Sequence, residues 1–328
     1  MTGVEAAIAR AVRARAGLAE RESTDALRLV HPGDGPDGLF VDRYGPWATA
    51  AVHEGRGAAL PSDAELAGAV LDAAREQGVR GVYVKRFLRD RSRLGGIHPD
   101  ALRDPTPAAG EPAPEALTVR ENGCALEVRL YDGFSTGLFL DQRHTRRALA
   151  QWAAAGRPSM LNTFAYTGAF SAALARVGCE TTTVDVSPRY LDWAKHNFTI
   201  SGLDPDAHRF AKMDALAHLE LAAKRGWRYG LIVLDPPTFS AAQKRRKIAA
   251  WSSVKHYPRL IELAAAVLEP GGRIFASTNT RELLEPGAFR ALIREGLGGR
   301  HMREHELPDP PADLRGCPTL PATLWFEA

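Results

Sequence analysis

The stretch that decides the fold is YGLIVLDPPTFSAAQKRRK, residues 229–247. Its apolar run LIVL predicts a buried strand, which ends directly on Asp235. Pro236 and Pro237 follow, then Phe239, and then a run of cations. Tandem prolines make a stiff loop with few hydrogen-bond donors, so its carbonyl groups are held in fixed positions. An acid, a rigid turn and an aromatic ring at the end of a core strand predict a binding site.

Strand patterns and helix patterns alternate on both sides of this stretch. The predicted strands are SMLNTF, ETTTVDVS, HRFAKMDA, YGLIVLDPP and GGRIFASTN, each separated from the next by a helical segment, and TLWFEA predicts a final strand. Such alternation is typical of right-handed βαβ units in a parallel sheet. We therefore expect an α/β fold with a Rossmann-like, doubly wound sheet, whose ligands bind at the carboxyl ends of the strands.

The rest of the chain predicts a second, smaller domain. Residues 1–98 contain short strands and a helix over 62–77, which indicates a small α/β domain for substrate recognition. Residues 99–116 are rich in Pro and Ala and predict a linker. Residues 117–328 would hold a hairpin, indicated by the dipeptide Asn122-Gly123, and then the doubly wound domain.

Composition narrows the class of protein. Charged residues make up 25% of the 328 and hydrophobic residues 45%, as in soluble globular proteins, and the net charge is only +3. The three cysteines have no zinc or disulfide spacing, so we expect no metal and a reducing, cytoplasmic location. No apolar run reaches the roughly 20 residues of a membrane helix, so no membrane partner is expected. Nothing in the sequence argues for a particular oligomer.

The loop after the first strand of the doubly wound domain spans residues 162–168 and contains one glycine, Gly168. This is not the three-glycine dinucleotide fingerprint, but one glycine permits a close turn past a ligand without a diphosphate. The alternative is an ordinary strand-to-helix loop.

The second strand ends on Asp185, which can accept hydrogen bonds from both ribose hydroxyls or cap the next helix. Ser187 before Pro188 is the better cap candidate, which leaves Asp185 for a ligand.

The third strand is followed by Asp214, which alone would be interpreted as a helix cap. Polar or acidic groups nevertheless follow three successive strands at one edge of the sheet. Together they suit the amino acid, ribose and adenine parts of one nucleoside ligand. After the fourth strand, the stiff loop that ends in Phe239 could hold a planar base by hydrogen bonds and stacking, the alternative being a turn with a buried Phe.

Basic residues cluster in three places: residues 85–93, the segment of Arg143, Arg146 and Arg147, and residues 244–247. A run of charge is often only a solvated face. Here one run closely follows the loop predicted to hold a base, and basic groups around a concave site bind phosphates. We therefore expect RNA as the partner, with a small-molecule substrate as the alternative.

Five segments of the chain resemble the class I S-adenosylmethionine-dependent methyltransferases that modify 23S ribosomal RNA. These segments are TGLFLDQRHTRR, LNTFAYTG, TTTVDVSPRYLDWAKHNF, DPPTFS and GGRIFASTN. The resemblance covers most of residues 38–328 and is strongest to the 7-methylguanosine-forming half of the bifunctional large-subunit enzyme. It implies S-adenosylmethionine as cofactor and, as partner, 23S ribosomal RNA or a large-subunit precursor.

The resemblance also implies roles for individual residues. S-adenosylmethionine would lie over the loop after the first strand, with its ribose on Asp185 and its adenine near Asp214. The expected cofactor-binding residues are Thr136, Phe139 and Arg143, which would close over the methionine end, and Asn162, Phe164, Tyr166, Thr167, Gly168, Asp185, Ser187, Asp214 and Asp235. The expected catalytic residues, facing the substrate base, are Asp235, Pro236, Pro237 and Phe239. The expected RNA-binding residues are Arg146, Arg147, Lys244, Arg245, Arg246 and Lys247.

The chemistry of the target atom separates the branches of this family. Carbon 5 of cytosine needs a thiolate to add to the ring first, and the related enzymes place that cysteine after the fifth strand. Here that place is IFASTNT, without cysteine. Guanine nitrogen 7 carries a lone pair and no proton, so alignment and exclusion of water suffice. We expect guanine N7 as the target. The alternatives are cytosine C5, guanine N2, a small molecule or protein substrate, and a catalytically silent RNA-binding relative.

Overall fold

The computed structural model describes residues 3–55, 60–87, 103–240 and 250–328. The chain divides into two compact units. Unit 1 consists of Met1–Arg143 and Pro310–Pro318, and unit 2 of His144–Asp309 and Thr319–Ala328. Within the described residues, no helix combines the length and the apolar character that crossing a membrane requires.

Unit 1 is built on a five-stranded sheet in the order β1-β2-β3-β4-β5. Its strands are β1 (Ala26–Val30), β2 (Leu39–Tyr44), β3 (Trp47–His53), β4 (Gly81–Phe87) and β5 (Ala109–Gly110), and its helices are α1 (Gly3–Ala14), α2 (Leu18–Glu22) and α3 (Asp63–Ala74). Strands β3 and β4 are parallel and the other neighbours antiparallel. The core packs Ile8 of α1 and Leu66 of α3 with Val41 and Ala50 of the sheet.

The hairpin predicted from Asn122-Gly123 is present and pairs β6 (Leu117–Glu121) with β7 (Cys124–Val128). Asn122 has φ 50° and Gly123 φ 80°, the left-handed conformations that a two-residue turn of this kind needs. Asn tolerates this conformation better than most residues, and Gly adopts it without strain. The dipeptide was therefore sufficient to place this turn from the sequence.

The division into units differs from the predicted domain boundaries. The hairpin belongs to unit 1, because Asp25 donates its backbone N–H to Arg120 O at 2.9 Å and accepts the N–H of Arg120 on Oδ2 at 3.0 Å. The predicted linker is partly tied to unit 1, since β5 pairs with β4 and Trp47 Nε1 donates to Glu111 O at 3.1 Å. Residues 310–318 also belong to unit 1, through the buried carboxylate of Asp313.

Unit 2 contains a seven-stranded sheet in the order β10-β9-β8-β11-β14-β16-β15. Its strands are β8 (Met160–Thr163), β9 (Thr181–Asp185), β10 (Arg209–Lys212), β11 (Tyr229–Leu234), β14 (Leu268–Thr278), β15 (Arg303–His305) and β16 (Ala322–Glu327). Two further strands, β12 (Phe239–Ser240) and β13 (Trp251–Ser252), pair with each other and form a separate small sheet. The helices are α4 (Arg143–Gly156), α5 (Ala169–Arg176), α6 (Pro188–Ile200), α7 (Ala215–Arg225), α8 (Ser253–Ala266) and α9 (Ala288–Leu297).

The first five of these strands, from β10 to β14, are parallel, which confirms the predicted Rossmann-like sheet. The predicted last strand, β16, is present and runs antiparallel to both neighbours. All six residues of β11 are buried, as its apolar sequence predicted. The chain moves outward in one direction from β8 to β9 and in the other from β11 to β14. The edge beside the carboxyl ends of β8 and β11 is thus the point where such sheets bind ligands.

Candidate active site

The loop that leaves β8 is bent sharply at three alternate residues. Phe164, Tyr166 and Gly168 have φ of 53°, 51° and 75°. Residues other than Gly rarely adopt this conformation, and it occurs where the surrounding structure enforces it, often at ligand sites. A Cβ on Gly168 would lie 2.7 Å from Cβ of Ala194 in α6, so only glycine allows the loop to approach this helix so closely.

Asp185, the last residue of β9, holds that loop in place. Its Oδ2 accepts the backbone N–H of Tyr166 at 2.9 Å, and its Oδ1 accepts the N–H of Ser187 at 2.8 Å. Burial raises the pKa of Asp185, and the N–H groups of Ser187 and Tyr166 oppose that rise. The backbone of Val186 also donates to this carboxylate, and because a carboxylate has about four acceptor positions, the group can still receive a hydroxyl donor from a ligand.

Ser187 is the N-cap of α6, as predicted, and its Oγ accepts the N–H of Tyr190 at 3.4 Å. The ring of Tyr166 packs edge-on against Tyr190, with centroids 4.6 Å apart. Asn197 of α6 donates from Nδ2 to Thr167 O at 2.8 Å. Helix α6 therefore fixes residues 166–168, and the role of Asn197 in this was not predicted from its position in the helix.

Asn162 lies in the same strand end but its side chain is used internally. It is 2% exposed, and its Nδ2 donates to Ser171 Oγ in α5 at 3.0 Å. Thr183 of β9 donates to the same oxygen at 2.8 Å. The three side chains join β8, β9 and α5 below the loop. A cofactor contact by Asn162 stays a prediction, and Ser171 is a supporting residue that its plain helical context did not reveal.

Asp214 follows β10 and is the N-cap of α7. Its Oδ1 accepts the N–H groups of Leu216 at 3.0 Å and Ala217 at 3.2 Å. This confirms the cap alternative, and the second carboxylate oxygen takes part in neither bond. The N–H of Met213 reaches Asp185 O at 3.2 Å, which keeps the ends of β9 and β10 together.

The loop after β11 presents an exposed aromatic ring. Phe239 is 62% exposed, so the alternative of a turn around a buried Phe is wrong. Ser253, the first residue of α8, clamps the loop: its Oγ donates to Pro237 O at 3.0 Å and its N–H to Thr238 O at 3.2 Å. Asp235, between the buried strand and the prolines, is half-buried.

Trp251 connects this loop with the loop after β8. Its Nε1 donates to Ser253 Oγ at 3.2 Å, and its ring lies 4.9 Å from that of Phe164. The sequence analysis did not single out Trp251 or Ser253. The only signal was a serine pair before a helical pattern, which indicates a helix start but not a clamp on a distant loop.

Three of the residues predicted to bind the cofactor belong to unit 1. Thr136 is buried and donates from Oγ1 to Tyr44 Oη at 2.8 Å, whereas Phe139 is 50% exposed. Arg143 is fully buried, ion-paired with Asp313, and donates to Ala26 O at 3.1 Å. The structure thus gives Arg143 a structural partner, and its contact with a cofactor stays a prediction.

The predicted RNA-binding residues fall into two groups. Arg146 is 2% exposed, with its guanidinium 5.6 Å from the ring centre of Phe170, and Arg147 is half-buried. A buried guanidinium is poorly placed for a phosphate. Residues 244–247 lie outside the described residues.

The hydrogen-bond acceptors of the site fit S-adenosylmethionine. Asp185, Asp214 and Asp235 follow three strands at one edge of the sheet, and carboxylates accept hydrogen bonds without donating any. A nucleoside with two ribose hydroxyls, an adenine amine and a positive sulfonium group supplies donors and charge of the matching kind. Nowhere in the described parts of the chain are three His, Cys, Asp or Glu side chains grouped to hold a metal ion.

Comparison with known proteins agrees with this chemistry. A family model described as S-adenosylmethionine-dependent methyltransferase matches residues 98–311. "Putative ribosomal RNA large subunit methyltransferase YwbD" of Bacillus subtilis is 34% identical over 83% of this chain and 65% of that protein. "Ribosomal RNA large subunit methyltransferase I" of Klebsiella pneumoniae is 30% identical over 95% of this chain and 75% of that protein.

Among solved structures, "SMU.776, a putative methyltransferase complexed with SAH" superposes with a TM-score of 0.81 and 26% identity. The match covers 100% of this chain and 83% of that one. The chain thus spans between about half and three quarters of the length of the first curated relatives it matches.

Proposed function

We propose, since this chain belongs to the S-adenosylmethionine-dependent methyltransferase family, that it methylates large-subunit ribosomal RNA at guanine nitrogen 7. The names of the relatives support the class of RNA. The observation that carries the proposal is the loop after β11. It offers an exposed aromatic ring, Phe239, four residues after the half-buried Asp235, while every cysteine of the chain is buried.

The residues of this loop suit guanine held by its Watson–Crick edge. Phe239 would stack on the base, a contact worth about 1–3 kcal/mol per base in proteins that bind single strands. Asp235 can accept hydrogen bonds from the N1–H and the exocyclic amine of guanine, and the Pro236 carbonyl would help to position the base. Nitrogen 7 lies on the opposite edge and would stay free.

When bound, S-adenosylmethionine supplies an electrophilic methyl group. The lone pair of nitrogen 7 would form the new bond to that carbon while the carbon–sulfur bond breaks and S-adenosylhomocysteine leaves with the electron pair, and no proton would be lost from the base. The chain therefore needs no general base. It has to align the ring, exclude water and place negative carboxylates near a base that becomes positive.

The cysteines argue against a cytosine C5 mechanism. Cys124, Cys179 and Cys317 are 2%, 1% and 6% exposed. Burial raises the pKa of the Cys179 thiol to about 11, so it carries no thiolate at neutral pH. Cys317 lies in unit 1, where Arg28 donates a hydrogen bond to its Sγ at 3.7 Å. The described site offers no thiol that could add to a pyrimidine ring.

The test is methyl transfer to ribosomal RNA that lacks this modification. We expect labelled methyl groups in large-subunit RNA, and chain scission at the modified residue after borohydride and aniline, a reaction specific to 7-methylguanosine. A label that resists scission and is recovered as N2-methylguanosine would favour the exocyclic amine, which Asp235 could assist as a base. Label found only in protein or small metabolites, or no turnover despite cofactor binding, would contradict an RNA substrate.

Variants of the loop separate its role from cofactor binding. Asp235→Ala should lower kcat by about 100-fold or more, with the Kd for S-adenosylmethionine within about threefold of wild type. Phe239→Ala should raise the KM for RNA by about tenfold or more. The matched controls are Asp192→Ala on the exposed face of α6 and Leu284→Ala, both of which should leave RNA methylation unchanged. Equal losses in the controls would contradict the assignment.

The basic run at residues 244–247 is proposed to hold phosphates next to the target. Each phosphate contact contributes about 0.7 to the slope of log K against log salt for single strands, so four contacts contribute about 3. Changing all four residues to Ala should raise the KM for RNA and flatten that slope. The control is Lys224, Arg225 and Arg228, exposed cations at the amino end of β11, changed together to Ala. Unaltered KM and slope in the first variant would refute the phosphate role.

A further inference from the structure

The ladder between β11 and β14 ends where the active-site loop begins. The strands are parallel, and their pairing runs in register from Leu231 opposite Arg273 to Leu234 opposite Ala276. Two residues beyond the end of β11, the next N–H that would face Ser277 O belongs to position 236. That residue is proline, which has no N–H, so the ladder lacks this donor. A buried carbonyl left without a donor is costly, and another group has to supply one.

The hydroxyl of Tyr257 occupies this gap. It lies 2.7 Å from Ser277 O and 3.1 Å from Leu234 O, and it accepts the N–H of Ser277 at 3.1 Å. The side chain comes from α8, is fully buried, and packs edge-on against Phe289 at 5.1 Å. Burial, together with the charge of Asp235, raises the pKa of Tyr257 well above its usual value, so the hydroxyl keeps its proton and remains a donor.

We infer that Tyr257 is a positioning residue for Asp235. Its hydroxyl substitutes for the missing proline N–H and fixes the end of β11, one residue before the carboxylate that faces the base. The catalytic consequence rests on the proposed function of Asp235. The same helix clamps the loop through Ser253, so α8 holds both the start and the middle of the segment from Asp235 to Phe239.

The test compares Tyr257→Phe with a matched control, Tyr229→Phe in β11. Tyr229 lies at the amino end of β11, is 6% exposed, and its hydroxyl lies 3.1 Å from His218 Nε2. Both changes remove one buried hydroxyl and keep the ring, so both should lower Tm by a similar amount. Only Tyr257→Phe should speed hydrogen exchange at the Ser277 amide, by about tenfold or more, since its acceptor is lost.

Methyl transfer and structure then decide the positioning role. Tyr257→Phe should slow single-turnover transfer to RNA by about tenfold to a hundredfold, with the Kd for S-adenosylmethionine within twofold of wild type, because small displacements of aligned groups are costly. Tyr229→Phe should retain the wild-type rate. A crystal structure of Tyr257→Phe should show Asp235 displaced.

Three results would overturn the inference: unchanged exchange at Ser277, equal rate losses in both variants, or an undisplaced Asp235 in Tyr257→Phe. Failure of the proposed function has a different signature, because wild type would then methylate no RNA. The exchange and crystallographic comparisons need no RNA and still decide the role of Tyr257 in that case.

Discussion

Replacing Asp313 with alanine is expected to destabilise unit 1, because the change leaves a buried guanidinium without its main counter-ion. Asp313 is fully buried, accepts the backbone N–H of Arg28 at 2.8 Å, and is ion-paired with Arg143. Arg143 is itself fully buried, and its Nε lies 3.6 Å from the nearest oxygen of Glu22. The carboxylate thus joins β1 to the segment 310–318 inside unit 1.

The size of the loss follows from these contacts. Removing one partner of a buried ion pair costs about 3–5 kcal/mol. The orphaned N–H of Arg28 adds about 1–3 kcal/mol, although contacts in one network do not add fully. Glu22 stays near Arg143 and offsets part of the loss. We therefore expect Asp313→Ala to lower the stability of unit 1 by about 4 kcal/mol.

The assay is amide hydrogen exchange resolved by peptide, which reports opening free energies for β1 and β2 separately from the strands of unit 2. The matched control is the double variant Asp313→Ala with Arg143→Met, which removes the orphaned charge and should recover a large part of the lost stability. Recovery would appear as a coupling energy in the double-mutant cycle. A loss below about 1 kcal/mol in Asp313→Ala, or a double variant less stable than the single one, would refute the reasoning.

Three further predictions concern buried or strained residues. Burial lowers the pKa of Lys85 to about 8, despite the charge of Asp42, whereas unfolding restores the ordinary value of 10.5. The unfolded state binds more protons between these pH values, so the stability of wild type relative to Lys85→Met should rise by about 3 kcal/mol from pH 8 to 10.5 in urea titrations. A stability difference that does not change with pH would contradict this. Gly168→Ala should lower Tm and weaken binding of S-adenosylmethionine in calorimetry, because φ is 75° and the new Cβ meets Ala194; wild-type values would contradict the strain. Asp214→Ser should keep the α7 cap and its stability within about 0.5 kcal/mol yet weaken cofactor binding, whereas unchanged affinity would limit Asp214 to capping.

The sheet of unit 2 could be predicted because its signals are local. The alternation of strands and helices fixes the parallel order, and the all-apolar run before Asp235 marks a strand buried on both faces. Capping is local as well, which is why Ser187 before Pro188 was identified correctly. Asp214 is a capping residue type directly before a helical segment, and the structure confirms that it caps its helix.

The division into units could not be predicted, since it depends on contacts between distant segments. Asp313 and Arg143 are 170 residues apart in sequence, and nothing near either residue indicates a buried pair. The predicted boundary at the Pro- and Ala-rich segment rested on composition. The structure instead ties part of that segment to β4 and to Trp47.

The supporting residues of the site escaped prediction for a similar reason. Tyr257 and Ser253 have ordinary positions in an amphipathic helix, and their roles follow from where the prolines interrupt the β11 ladder. Asn162 was placed at the correct strand end. Whether its side chain is available to a ligand depends on Ser171 in the first turn of α5, to which it donates a hydrogen bond. Sequence identified the edge of the sheet and its acids, whereas the hydrogen-bond partners required the structure.

The central claim is that the loop after β8 and the carboxylate of Asp185 form the cofactor site. Isothermal titration calorimetry of S-adenosylmethionine with wild type, Asp185→Ala and the exposed control Asp192→Ala tests it most directly. Loss of hydrogen bonds to a carboxylate costs about 1.5–3 kcal/mol, so Asp185→Ala should weaken binding by about tenfold or more while Asp192→Ala matches wild type. Wild-type affinity in Asp185→Ala, or no heat of binding in the wild-type protein, would contradict the account.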